Sequence, residues 1–258
     1  MTPPYTNLFD SHAHYESKRF DADRDEVLSR LPEQGVRYLL NAASDIESCA
    51  AGIALAQTYD FIYCSAGIHP HEAKSAPADF IERLSALLQM PKVQAMGEAG
   101  LDYHYDFSPR EVQRRVFEQQ LILAREMDMP VIIHDREAHR DTFEMLKKYR
   151  PAGVVHCYSG SAEMAKELVK LGLFIGFTGV VTFSSARKTL EAARAIPVER
   201  ILIETDCPYM APEPKRGRRC DSSLLRYTAQ ALAREKGMDT QDFINRTTEN
   251  ALELYRIR

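Results

Sequence analysis

Two histidines one residue apart, His12 and His14, end an apolar segment near the start of the chain. In a β-strand alternate side chains share a face, so the two imidazoles point the same way while Ala13 points the other way. Two imidazoles on one face at the end of a strand can hold one metal ion. An isolated His-x-His pair is more often a solvated loop pair. Residues elsewhere in the sequence determine which of these two interpretations is favoured.

Later in the chain, further residues of metal-ligating type each follow a short apolar run. Imidazole and carboxylate ligands together suit Zn²⁺, Mn²⁺ or Mg²⁺, and a cation of this kind activates water for hydrolysis. Six such residues at the ends of five strand-like segments favour one shared site over coincidence. The predicted metal ligands are His12, His14, Glu98, His134, His156 and Asp206.

The elements that must position these residues alternate regularly along the chain. Apolar runs of strand length alternate with segments of helical periodicity, with no linker and no low-complexity tract between them. The predicted strands are 7–14, 36–43, 61–68, 93–98, 130–134, 153–156, 173–178 and 201–206. The predicted helices are 21–33, 45–59, 76–89, 108–127, 136–149, 161–171, 184–195, 222–236 and 240–255.

Eight βα units predict an α/β fold, a single (β/α)8 TIM barrel with an extra C-terminal helix, in which residues 1–258 form one domain. A doubly wound open sheet is less favoured because no Gly-x-Gly-x-x-Gly turn follows the first strand. In a TIM barrel the active site lies at the carboxyl ends of the strands, where all six candidate ligands fall. The helix at 108–127 is expected to begin with a capping box, Ser108 as its cap and Pro109 at its first position.

Composition restricts the class of protein. The net charge of −4 gives no overall attraction to nucleic acid, so any such contact must be local. The five cysteines are scattered and form no Cys-x-x-Cys pair, which indicates a reducing compartment. No apolar run approaches the length of a membrane span, of about 18 residues, and no basic-then-apolar leader is seen. We expect a cytoplasmic protein without a membrane segment and without an obligate protein partner.

Six motifs together resemble the TatD family of metal-dependent deoxyribonucleases, within the wider group of amidohydrolase-type barrels. They occur in the order of the family over nearly the whole chain, and each is weak evidence alone. The motifs are FDSHAH at 9–14, GIHPH at 67–71, GEAGLDY at 97–103, PVIIH at 130–134, HCYSG at 156–160 and ETDCPY at 204–209.

The resemblance implies a site for two divalent metal ions, with Glu98 bridging them as a catalytic residue. His12, His14 and Asp206 would complete one metal shell, while His134 and His156 would complete the other. A carboxylate suits the bridging position because its two oxygens can span two cations about 3.5–4 Å apart. The sequence does not choose among Mg²⁺, Mn²⁺ and Zn²⁺.

Asp206 is our candidate general base, since a carboxylate at the tip of the last strand can accept a proton from the attacking water. Its alternative role is a helix cap. Glu204, on the same strand face, should be buried and paired with a ligand or a cation.

Three residues are candidates for substrate binding. The resemblance suggests that His69 binds the substrate phosphate, although a solvated pair with His71 is as well supported. Arg216 lies in the basic loop 212–219, which could hold phosphates beside the metals or be a solvated turn. Tyr158 could hold substrate or be structural. The loop departs from the family after Arg216-Gly217, because Cys220, Asp221 and Ser222 replace the usual asparagine, acidic residue and proline.

The resulting functional prediction is a deoxyribonuclease that removes nucleotides from the 3′ end of single-stranded DNA. The alternative is an amidohydrolase-type enzyme that cleaves a C–N or ester bond, including the ester of an aminoacyl-tRNA. A non-catalytic barrel that binds metal or a partner is the third possibility.

Overall fold

The computed structural model describes residues 5–258. Its eight strands form one parallel sheet in strict chain order, from β1 to β8. The strands are β1 (Leu8–Ala13), β2 (Val36–Asn41), β3 (Ile62–Ala66), β4 (Val93–Asp102), β5 (Val131–Arg136), β6 (Gly153–Val155), β7 (Phe174–Phe177) and β8 (Ile201–Ile203).

Helices separate the strands, as a parallel sheet requires. Short 3-10 turns lie at 18–20, 32–34, 70–75, 179–182, 198–200 and 222–224. The α-helices are α1 (Arg24–Arg30), α2 (Ile46–Thr58), α3 (Phe80–Leu87), α4 (Arg110–Glu126), α5 (His139–Tyr149), α6 (Ala162–Lys170), α7 (Arg187–Ala195), α8 (Leu225–Lys236) and α9 (Thr240–Tyr255).

The sheet curves until its first and last strands meet. The backbone N–H of Asp206 donates to the His12 carbonyl at 2.9 Å, and the N–H of His14 donates to the Cys207 carbonyl at 2.8 Å. These bonds join the end of β1 to the residues just after β8, so the barrel is nearly closed. The predicted TIM-barrel fold is therefore confirmed.

An apolar cluster fills the barrel below the carboxyl ends of its strands. Residues such as Phe9, Ile132, Val154 and Leu202 come from different strands and are buried together with Tyr255 of α9. Because side chains on one face of a strand recur every second residue, Ile132 shares its face with His134 and Val154 shares its face with His156. The strand pattern thus places these imidazoles directly above the apolar filling.

Several predicted boundaries differ from the observed ones. β4 continues four residues beyond the predicted end at Glu98, to Asp102, and β8 ends at Ile203. The predicted capping box is wrong: α4 has Pro109 at its cap position and no side-chain cap. The Ser108 hydroxyl instead donates to the His71 carbonyl at 2.9 Å and accepts the N–H of Lys74 at 3.0 Å.

None of the helices in residues 5–258 combines the length and the apolar character that crossing a membrane requires.

Candidate metal centre

The six predicted ligands converge at the carboxyl end of the barrel. His12 lies in β1, Glu98 in β4 and His134 in β5, while His14, His156 and Asp206 lie in the turns that follow β1, β6 and β8. Together with His69, their imidazole and carboxylate atoms form three overlapping groups, each compact enough to hold one ion. These groups are His12, His14 and Asp206; His12, Glu98 and His156; and His69, Glu98 and His134.

The carboxylate of Glu98 is the centre of the arrangement, and its two oxygens face different imidazoles. Oε1 lies 2.6 Å from Nδ1 of His134 and 2.6 Å from Nε2 of His156. Oε2 lies 3.2 Å from Nε2 of His12 and 3.7 Å from Nε2 of His14. One buried carboxylate is therefore shared by two sets of nitrogen donors.

Asp206 completes the set that contains the first-strand histidines. Its Oδ1 lies 3.5 Å from Nε2 of His14 and 3.9 Å from Nε2 of His12. Asp206 has a φ of +54°, a left-handed conformation that aspartate tolerates better than most residues. The chain thus turns sharply three residues after β8, where the sequence had predicted a continuing strand.

This donor set fits a cation. The Nε2 atoms of His12 and His14 face each other at 3.1 Å, and both also face the carboxylates of Glu98 and Asp206. Lone pairs that converge on one point repel each other unless protons or a cation lie between them. Mixed imidazole and carboxylate donors are ordinary ligands for Zn²⁺, Mn²⁺ and Mg²⁺.

The side chains of the cluster differ in the direction in which their surroundings shift the pKa. Burial opposes ionisation of Glu98 and Asp206, yet the surrounding imidazoles lower the pKa of both carboxyl groups below their usual values. Burial and the neighbouring His156 lower the pKa of His12, whereas carboxylate partners raise the pKa of His14 despite its burial. Both carboxylates are consequently ionised at neutral pH.

Neighbouring groups fix the orientation of the imidazoles. Oδ2 of Asp102 lies 3.1 Å from Nε2 of His134, and the carbonyl oxygen of Ala42 lies 3.0 Å from Nδ1 of His14. Such partners set the tautomer and the orientation of a ligating histidine. Asp102 was not among the predicted site residues, because the predicted strand ended at Glu98 and left Asp102 in the loop that follows.

Glu204 is fully buried, as predicted. Its Oε1 accepts the backbone N–H of Cys157 at 2.5 Å and lies 3.7 Å from Nδ1 of His156. A Cβ atom on Gly176 would lie 2.6 Å from Oε2 of Glu204. Only glycine at that position leaves room for the carboxylate.

The structure brings two of the three candidate substrate residues to the site. Nε2 of His69 lies 3.4 Å from Oε1 of Glu98 and 3.3 Å from Nδ1 of His134, so its ring borders the candidate ligands instead of pairing with solvent. Burial lowers the pKa of His69 to about 4, which keeps it neutral. Tyr158 lines the same cavity, and its hydroxyl donates to the Ser161 carbonyl at 2.7 Å.

The basic loop lies further from the centre. The guanidinium of Arg216 packs 4.3 Å from the ring centroid of Phe183 and 3.9 Å from a carboxylate oxygen of Glu213. Arg216 does not line the central cavity in the described part of the chain. Arg219 pairs with Asp23 at 2.6 Å.

The unusual residues after the basic loop anchor it to the barrel. The Ser222 hydroxyl donates to the buried Oδ2 of Asp10 at 2.6 Å, and the side chain of Asp221 accepts the N–H of Ser223 at 2.9 Å. The N–H of Cys220 donates to the Pro208 carbonyl at 3.1 Å. The loop is thus held despite its departure from the family pattern.

A cavity of about 650 Å³ opens above the candidate ligands. Glu98, His134, His156 and Asp206 lie among its lining residues, and so does His69. A nearly closed barrel with imidazoles and carboxylates grouped at the carboxyl ends of its strands is the arrangement of a barrel hydrolase that depends on a metal.

Comparison with known proteins makes the assignment specific. The family model for TatD-related DNases matches residues 9–256. The chain belongs to this family, and it is a metal-dependent hydrolase that acts on ester bonds.

Two relatives and one solved structure illustrate the similarity. The metal-dependent hydrolase YabD of Bacillus subtilis, named as uncharacterized, is 39% identical over 97% of this chain and 99% of its own. The 3′-5′ ssDNA/RNA exonuclease TatD of Citrobacter rodentium is 36% identical over 97% of this chain and 98% of its own. The crystal structure of YjjV, a TatD homologue from Escherichia coli, superposes with a TM-score of 0.92 at 30% identity, over 98% of this chain and 99% of YjjV.

Proposed function

We propose that this chain is a two-metal exonuclease that removes nucleotides from the 3′ end of single-stranded nucleic acid, DNA above all. The observation that carries the proposal is the division of Glu98 between two sets of donors, with His134 and His156 at Oε1 and His12 and His14 at Oε2. The exonuclease names of relatives such as TatD of Citrobacter rodentium support the polarity and the substrate.

In this proposal His12, His14 and Asp206 would hold one divalent ion, and His134 and His156 would hold the other. Glu98 would be shared between the two ions. The donor chemistry accommodates Mg²⁺, Mn²⁺ or Zn²⁺. When bound, such ions supply Lewis acidity, which polarises a phosphoryl oxygen and makes water a stronger nucleophile at neutral pH.

The residues of the chain have separate tasks. Asp206, ionised and lining the cavity, accepts the proton of the attacking water as general base. Glu98 fixes the spacing of the centre. His69, neutral and 3.4 Å from Glu98, is placed to contact the phosphate beside the ions. Tyr158 is a further contact within the cavity, and Arg216 is a contact for the part of the strand outside it.

The shape of the site supports a strand end as the substrate. The donors lie inside a cavity whose walls come from the loops after several different strands. A strand terminus reaches the floor of such a cavity more readily than a duplex does.

We further propose that residues 1–258 work as a single domain in the cytoplasm, without an obligate protein partner. The eight strands form one sheet, and every candidate ligand comes from the same chain. The five thiols are free of disulfide bonds, which supports a reducing compartment.

The test is a cleavage assay with a single-stranded oligonucleotide labelled at its 3′ end or at its 5′ end, with Mg²⁺, Mn²⁺ or Zn²⁺. We expect the 3′ label to be released at once as a mononucleotide and the 5′-labelled strand to shorten stepwise. An Asp206→Asn variant should lose about 100-fold or more in rate. A blunt duplex of the same sequence serves as the control.

Other results would change the assignment. If no divalent ion supports release of nucleotides but a panel of amides and carboxylic esters is hydrolysed, the alternative amidohydrolase activity replaces the proposal. If the Asp206→Asn variant retains the full rate, the general base lies elsewhere.

A further inference from the structure

The exposed aromatic side chains of this protein are concentrated at the mouth of its cavity. Over the described residues, only four large apolar side chains are strongly exposed. Tyr105 and Tyr209 line the cavity. The ring centroid of Phe107 lies 4.8 Å from that of His71, which also lines the cavity. The fourth, Met90, precedes β4 and therefore lies at the other end of the barrel. Apolar exposure is thus almost confined to the substrate side.

The three aromatic rings flank the metal centre on two sides. Tyr105 and Phe107 lie between β4 and α4, whereas Tyr209 lies between β8 and α8. In a barrel of eight strands in chain order, β4 and β8 are diametrically opposed. A chain that crosses the cavity between these loops therefore passes an aromatic surface before and after the candidate ligands.

The three rings remain about half exposed although parts of their faces are in contact. Tyr105 and Phe107 are stacked on each other, with centroids 5.2 Å apart and planes 21° apart. Each still exposes about half of its surface, 46% for Tyr105 and 54% for Phe107, and Tyr209 exposes 48%. Singly exposed apolar side chains are ordinary, but exposed rings grouped around one cavity are typical of a binding surface.

A positive charge accompanies each aromatic surface. The guanidinium of Arg136 lies 4.7 Å from the centroid of Tyr105, and that of Arg19 lies 5.2 Å from the centroid of Tyr209. In the part of the chain that the structure describes, neither guanidinium forms a salt bridge, whereas Arg219 is bound to Asp23. Half-exposed aromatic rings with unpaired cations packed over them match a polyanion that carries planar bases.

We propose that Phe107 with Tyr105 on one side, and Tyr209 on the other, are stacking surfaces for unpaired bases next to the scissile phosphate. This inference rests on the proposed function and specifies its substrate. Every base has a π-face, so recognition by stacking requires unpaired bases without selecting a sequence. Arg136 and Arg19 would contact the phosphates of the same nucleotides.

The test removes the aromatic character and keeps the apolar bulk, with the variants Phe107→Leu and Tyr209→Leu. The variants Phe107→Tyr and Tyr209→Phe retain the rings, and Met90→Leu changes an exposed apolar residue at the opposite end of the barrel. The substrates are a single-stranded oligonucleotide and the same strand with base-free sugars at its last two 3′ positions.

We expect each leucine variant to raise KM for the normal strand about tenfold. The aromatic variants should raise KM less than the leucine variants do, and Met90→Leu should stay close to the original protein. The base-free strand should have a raised KM with the original protein and no further increase with the leucine variants. Leucine variants with an unchanged KM on a strand that the protein does degrade would overturn the stacking surfaces and leave the exonuclease intact.

A second measurement separates the two proposals. If the original protein degrades no strand with any of the three ions, binding of the oligonucleotide is measured by fluorescence anisotropy. If only the leucine variants bind the oligonucleotide more weakly than the original protein, the stacking surfaces are retained and the exonuclease is rejected. Absence of binding by the original protein would reject both.

Discussion

The Oδ2 atom of Asp102 lies 3.1 Å from Nε2 of His134, on the side of the ring opposite to Glu98. The same oxygen lies 2.8 Å from Nε2 of His71. Despite its burial, hydrogen bonds that include the one from His134 keep the pKa of Asp102 well below its usual value. Asp102 is therefore an ionised acceptor that holds His134 with Nδ1 turned towards the centre.

Replacing Asp102 by asparagine should weaken metal binding by about 10- to 100-fold. The amide can still accept the backbone N–H groups of His104 and Tyr105, but it no longer presents an ionised oxygen to His134. The measurement is a calorimetric titration of the metal-free protein with Mn²⁺. Asp106→Asn, in the exposed loop that follows, is the control and should bind normally. An unchanged affinity in Asp102→Asn would show that His134 is oriented without it.

Replacing Glu98 by glutamine should lower the rate of cleavage about 100-fold or more. It should also reduce the amount of bound metal. The amide keeps the volume of the side chain but removes its charge and offers only one acceptor oxygen to two sets of imidazoles. Metal content is measured by elemental analysis after dialysis. Glu72→Gln alters a carboxylate that lines the cavity outside the cluster and should keep its metal. A fully loaded Glu98→Gln variant would contradict the central role of this carboxylate.

Removal of metal by a chelator should abolish activity and leave the fold in place. The barrel has its own apolar core, which includes the filling around Ile132 and Tyr255, so its folding does not depend on an ion. The midpoint of thermal unfolding should fall, because a ligand that binds only the native state stabilises it. Far-ultraviolet circular dichroism, with return of activity on addition of Mn²⁺, checks this expectation. Loss of the helical spectrum on chelation would contradict it.

His139 should stabilise the protein only at low pH. Its Nδ1 lies 2.8 Å from Oδ2 of Asp135, and this hydrogen bond raises the pKa of His139 above 6.5 although partial burial opposes it. The folded state therefore binds the proton more tightly than the unfolded state. The gain is complete below pH 6.5 and is lost as the pH rises through the folded pKa.

The test compares urea unfolding of the original protein and His139→Gln at pH 5.5 and pH 9. At pH 5.5 we expect the original protein to be more stable than the variant by less than about 1 kcal/mol, because the imidazole is 34% exposed. At pH 9 the two proteins should have the same free energy of unfolding. A difference that is equal at both values would indicate packing instead of charge.

Gly176→Ala should destabilise the protein by about 1–3 kcal/mol. The added Cβ would lie 2.6 Å from Oε2 and 2.9 Å from Cδ of Glu204, so the buried carboxylate must move away from His156. Urea unfolding and activity are measured together. If the companion change Glu204→Ala restores stability to Gly176→Ala, the steric origin is established; an unaltered unfolding midpoint in Gly176→Ala would refute it.

The regular elements were predictable because hydrophobic periodicity determines them. All eight strands were placed within a few residues, and the candidate ligands His134 and His156 follow from the alternation of strands β5 and β6. The extension of β4 was missed because Gly100 interrupts the apolar run after Glu98. Local propensity cannot show that the neighbouring strands compensate for this glycine.

The parts that escaped prediction depend on contacts distant in sequence. Ser108 has the sequence signature of a cap, yet its hydroxyl bonds the backbone of His71 and Lys74. Spacing alone does not distinguish His69 from His71. The family resemblance singled out His69, and the path of the loop brings its ring beside Glu98. Spacing predicts which residues share a strand face, but it does not predict the path by which a loop brings a side chain to the site.

The closure between β1 and the residues after β8 also has a consequence for synthesis on the ribosome. His12 and His14 emerge early, whereas Asp206, which faces them across the seam, emerges after four-fifths of the polypeptide has been made. A nascent chain that stops before this aspartate holds an incomplete set of donors. With the role proposed for Asp206, the hydrolase would gain its chemistry only when translation is nearly finished.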